Sequence, residues 1–294
     1  MGTYAIILVL CSALCHATWN VLCKTGGDPV RVVRTALKYS AFLYAPLFVL
    51  VQFHVQYSWY YVLCVTISGV CTGLYFYTLS RAYRAGHVSV AYPIARSFPI
   101  LVVTWASMVW GDTPSSLGLA GIIVVVLGSF VLPAKKLGLG PDGFALSNYL
   151  NASCAWAILT AFATAVYSLI DKSAAVHIPG DPKLVSIASR VNYVYLQDFI
   201  AWLTILVVTR RGTGAEQEHK RGQAFVAGAL FLVSYSLIIL AFETDHVAYV
   251  VSFRQISIVV GAIVAMVRVE KHMPLPRLLG VLLIFAGVVM VGIG

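Results

Sequence analysis

Ten apolar stretches fill most of this chain, and those of its second half echo those of its first. The first five run over residues 3–22, 36–53, 59–79, 88–110 and 117–132, and the second five over residues 154–170, 191–208, 225–242, 247–267 and 278–291. About 20 apolar residues in helical form cross the hydrocarbon of a bilayer, so this pattern predicts an all-α integral membrane protein with ten transmembrane helices. With 294 residues shared among ten crossings, the connections are too short to hold a soluble domain.

Charge agrees with that reading. Charged residues are 11% of the chain and apolar ones 60%, whereas a soluble domain carries roughly 25% charged residues. The net charge of +9 resides in short loops rather than in a basic helix or stripe, which argues against nucleic-acid binding. Fifteen Lys and Arg residues fall in the odd-numbered loops and three (Lys172, Lys183, Arg190) on the other side. The positive-inside rule then expects the odd loops in the cytoplasm, both termini outside, and a location in the plasma or inner membrane. Six cysteines lack the spacing of a zinc site or disulfide framework and read as packing residues. No phosphate loop, metal cluster, Ser-His-Asp set or nucleotide fold is legible, so neither enzyme activity nor a cofactor is expected.

The repeat is weak at each point but ordered. ALCHATWNVLCK from Ala13 aligns with AFATAVYSLIDK from Ala161, and AYRAGHV from Ala82 aligns with AFETDHV from Ala241. Gly121 and Gly128 match Gly280 and Gly287. Five crossings are an odd number, so a duplicated half enters from the opposite face, giving two inverted five-helix repeats. Residues 1–134 form the first, residues 135–153 link them, and residues 154–294 form the second. Inverted repeats suit alternating access around a midplane site, which favours a transporter over a channel or scaffold.

The pattern HATWNVLCK in the first run resembles the EamA family of the drug/metabolite transporter superfamily. So do the stretch LSRAYRAGHVSVAYPIARSFPILVV, the acids Asp112 and Glu270, and the glycines of runs five and ten. The resemblance covers nearly the whole chain. It implies a central cavity lined by runs 1, 3, 4, 6, 8 and 9, and small metabolites such as amino acids as cargo. This chain departs from the family pattern at Asp112, where glutamate is common.

Charge inside a membrane is costly and marks candidate sites. Arg96 and Arg254 lie about 12 to 13 Å from their own interfaces at a helical rise of 1.5 Å per residue. They either pair with a carbonyl or Asp198 as scaffolding, or face one cavity and bind an anion. Asp198 in the seventh run is positioned to carry a proton or to pair with an arginine. Tyr92 shares a helix face with Arg96, and Pro93 and Pro99 free backbone carbonyls beside it. His16, Trp19 and Asn20, with their counterparts Tyr167 and Ser168, form a polar and aromatic strip that faces substrate or glues helices. Tyr75 and Tyr235 add aromatic walls or core packing. The expected cargo is therefore a small solute with an anionic group, such as an amino acid, carboxylate or phosphonate. A polyspecific exporter of cations built on Asp198 is the alternative. The expected partners are that solute and the bilayer, with a homodimer through runs five and ten a further possibility.

Overall fold

The structure, a computed structural model, describes residues 1–85, 88–132, 134, 136–138, 150–179, 182–210, 220–260 and 275–294. Among them every regular element is helical. In chain order these are α1 (Thr3–Thr25), α2 (Pro29–Leu43), α3 (Ala45–Val51), α4 (Trp59–Arg84), α5 (Val88–Val109) and α6 (Ser116–Val131). The second half contains α7 (Ala152–His177), α8 (Lys183–Thr209), α9 (Arg221–Thr244), α10 (Val247–Phe253) and α11 (Leu275–Ile293). Six helices are long and apolar enough to cross a membrane, or seven if the bent pair over residues 29–54 is one span. Three shorter apolar helices, Ile94–Val109, Ser116–Val131 and Val247–Val260, complete the set among the described residues.

Local chemistry sets the helix ends. Asp28, Ser58, Ser115 and Asn151 precede α2, α4, α6 and α7, and each side chain accepts from a backbone N–H of the first turn, satisfying a donor the helix leaves open. The bend of 43° after Leu43 has a covalent cause: Pro46 lacks an amide hydrogen and its ring crowds the carbonyl four residues back. No Pro or Gly explains the interruption of α10. There Arg254 and Gln255 form a turn, and Gln255 N–H, Ser257 N–H and Ile258 N–H each reach back three residues instead of four.

The most extensive helix contacts join α6 to α11, α4 to α7 and α1 to α9. α6 and α11 approach so closely that a Cβ on Gly121 would lie 2.8 Å from the Gly287 carbonyl, and one on Gly287 would lie 2.6 Å from the Gly121 carbonyl. These glycines are therefore consumed inside the chain, and self-association through α6 and α11 would have to use their outward apolar faces. Large apolar side chains cover the outside of the bundle, including Phe53, Trp59, Trp105 and Trp110, each more than two-thirds exposed. Trp59, Trp105 and Trp110 stand at helix ends, where indole rings settle at a membrane interface.

Polar ties close both ends. At one, Lys172 Nζ donates to the Phe242 and Asp245 carbonyls at 2.7 Å each. There too Arg190 pairs with Glu243 at 3.1 Å, and His246 pairs with Asp112. At the other, Arg84 pairs with Asp28, and Ser153 donates to the Ala82 carbonyl at 2.8 Å. All three basic residues assigned to the sixth loop are thus helical: Lys172 lies in α7, Lys183 opens α8, and Arg190 lies within α8 with 1% exposure. The reason is that a carboxylate and the carbonyls of Ala175 and Ile178 replace water around the guanidinium.

Candidate functional site

α1, α4, α5, α7, α8, α9 and the broken α10 surround two adjoining cavities. His16, Tyr75, Tyr167 and Arg254 border both. Arg96, Thr160 and Thr164 line the first, and Trp19, Gln197, Asp198 and Tyr235 line the second. The turn at Arg254 places its side chain where α10 is interrupted, facing His16 across the cavity.

His16 is the hub. Arg96 Nη2 stands 2.9 Å from its Nε2, and Arg254 Nη2 stands 3.5 Å from its Nδ1. Guanidinium groups only donate, and a neutral imidazole has one acceptor nitrogen. The shorter contact assigns that acceptor to Nε2, so Nδ1 bears the hydrogen and confronts a second donor. One cavity thus contains two cations and an N–H directed at one of them.

Aromatic rings frame this cluster. Trp19 meets His16 edge-on at 4.6 Å and packs on Phe76 and Phe231. Tyr75, Tyr167 and Tyr235 form a ladder with successive ring centroids 5.8 Å apart, and the Arg254 guanidinium lies 5.6 Å from the Tyr235 ring centre. Cation–π attraction favours that placement.

The acidic side of the site comes from α7 and α8. Asp198 is buried and accepts from Ser40 Oγ at 3.0 Å. Asp171, which the apolar pattern does not reveal, has no exposed surface and accepts from neutral donors only. These are Tyr193 Oη at 2.8 Å, Gln197 Nε2 at 2.9 Å, Tyr235 Oη at 2.5 Å and the Ser68 hydroxyl. Its signal in the sequence was faint, because Asp171 follows the apolar run directly and beside Lys172 resembles the start of a loop.

Not every anticipated residue reaches the cavity. Asn20 donates to the His16 carbonyl of its own helix at 3.1 Å. Ser168 is buried without a hydroxyl partner among the described residues and borders neither cavity. The Tyr92 side chain and Glu270 lie outside the described residues.

The family model described as the EamA-like transporter family matches residues 3–133. The first half of the chain is thus similar to that family, which lies within the drug/metabolite transporter superfamily. With its apolar helices, the chain is a multi-pass integral membrane protein. Of solved structures, 26 chains match. One, described only as a crystal structure of a protein, has a TM-score of 0.69 over 99% of this chain and 96% of its own, at 14% identity. That likeness concerns the fold alone. No curated protein matches the chain.

Proposed function

We propose that this protein is an EamA-type secondary transporter of a small organic solute bearing an anionic group, such as a carboxylate, amino acid or phosphonate. The observation that carries the reading is the donor mismatch at His16. Arg96 satisfies Nε2, and Nδ1 then meets the Arg254 guanidinium as donor against donor. Two guanidinium groups about 8 Å apart at an effective dielectric of 20 repel by roughly 2 kcal/mol, which a bound anion relieves. An anion between Nδ1 and Arg254 would also accept from both. Asp198 borders the cavity of Arg254 and supplies a fixed negative charge that balances the arginines or receives an ammonium group.

Transport would proceed by alternating access between two inverted five-helix repeats, residues 1–134 and 154–294, spanning the membrane ten times with both termini outside. Helix packing supports this arrangement: exchanging the halves relates the α1–α9 contact to α4–α7, and α2–α9 to α4–α8. A cysteine at residue 214 of a cysteine-free variant should then be labelled by an impermeant reagent only after the membrane is opened.

Counterflow in proteoliposomes tests the function. Saturable exchange is expected with lactate, L-alanine or 2-aminoethylphosphonate and not with benzylamine. Exchange of the amine alone would shift the reading to a cation exporter built on Asp198.

A further inference from the structure

We propose that Asp171 binds the proton coupled to transport and passes its protonation state to the solute site through Tyr235, an inference that rests on the anion-transport reading above. Asp171 lies between the solute cavity and a further pocket at the far ends of α4, α7 and α8. Gln197 and Tyr235 border the former, Tyr61 and Ser189 the latter, and Tyr193 fills the space between. A buried carboxylate in a membrane protein needs a cation, a proton or a full set of donors. Among the described residues no ion pair reaches Asp171, and its donors Tyr193, Gln197, Tyr235 and Ser68 are all neutral.

The groups around it come from every packed helix. Cys64, Ser68, Cys71 and Thr72 face it from α4, Tyr193 and Gln197 from α8, Tyr235 from α9, and Tyr167 from its own helix. Lys172 turns away to the end of α9, while Arg96 of α5 and Arg254 gather at His16. Asp198 borders the same solute cavity beside Gln197.

Two features make this carboxyl a switch rather than a fixed acceptor. Ionised Asp171 takes the hydroxyl hydrogen of Tyr235, whose ring lies under Arg254. When a proton from water adds to a carboxylate oxygen, the new O–H must donate. Two acceptors are at hand. One is the Tyr235 oxygen, which frees the phenol hydrogen to turn into the cavity. The other is Gln197 Oε1, buried and without a partner among the described residues, which an amide rotation would bring round. Protonation thus gives the cavity one more donor and removes a negative charge behind Arg254, and both changes favour a bound anion. Breaking that O–H and returning the proton to water reverses the exchange.

The test is the affinity of purified protein for lactate and L-alanine, whose own charges are constant across neutral pH, read by ligand-induced thermal stabilisation. The wild type should bind more tightly as pH falls, by up to about tenfold per pH unit for one linked proton. Asp171→Asn and Tyr235→Phe should flatten that dependence and abolish accumulation driven by a pH gradient, whereas Asp198→Asn should keep the slope. A wild-type slope in folded Asp171→Asn overturns the proposal, because His16 or Asp198 then carries the proton. Should Asp171→Asn not fold, a wild-type slope in Tyr235→Phe overturns it equally. Binding by the wild type without pH dependence overturns the coupling and leaves the anion reading standing; absence of any binding defeats both.

Discussion

Arg96 Nη2 lies 2.9 Å from Nε2 of His16, which fixes the imidazole by a charge-assisted hydrogen bond and leaves Nδ1 as the donor toward the cavity. Truncating His16 removes that orientation and one donor to the solute. His16→Ala should weaken binding of the transported anion by about tenfold to a hundredfold, as expected for hydrogen bonds to charged groups worth about 1.5 to 3 kcal/mol. Isothermal titration on the purified variant checks this, and unchanged affinity would make His16 a packing residue.

Arg190 depends on Glu243. The guanidinium is buried, and besides the carboxylate at 3.1 Å it reaches Ser186 and the carbonyls of Ala175 and Ile178. Glu243 is partly exposed, which moderates the loss. Glu243→Gln should still cost about 1 to 3 kcal/mol, since it leaves a buried charge with neutral partners only. A lower melting temperature in detergent is the expected result.

The contact of α6 with α11 permits little added volume. A Cβ at Gly287 would meet the Gly121 carbonyl at 2.6 Å and the Val125 nitrogen at 2.7 Å, both backbone atoms that cannot rotate aside. Gly287→Ala should therefore lower stability by about 1 to 3 kcal/mol, the usual range for overpacking. Gly222, with open space around it, is the control: Gly222→Ala should leave the melting temperature near wild type.

Much of the bundle was legible because bilayer thickness turns apolar length into helices. Each of the ten runs includes residues of a described helix. Depth also selected the arginines, since a charge in the middle of an apolar run needs a reason to be there. It could not identify Asp171 or Arg190, because α7 and α8 extend beyond their apolar stretches to Asp171 and Lys183. There, buried protein groups take the place of lipid, and polarity no longer signals a loop. The interruption at Arg254 was equally hidden, since no residue there breaks a helix by its own covalent chemistry. Asn20 and Ser168 show the opposite limit, for spacing gives a helix face but not which neighbour covers it.

The most direct test of the central claim is the affinity of the transported anion for wild type and for Lys and Ala variants at Arg96 and Arg254. Lysine preserves charge but loses the planar fork that matches a carboxylate or phosphonate. The account predicts the order wild type, Lys, Ala at both positions, with the Ala variants weaker by about tenfold to a hundredfold. Folded Arg96→Ala and Arg254→Ala proteins that bind the anion as tightly as wild type would contradict it.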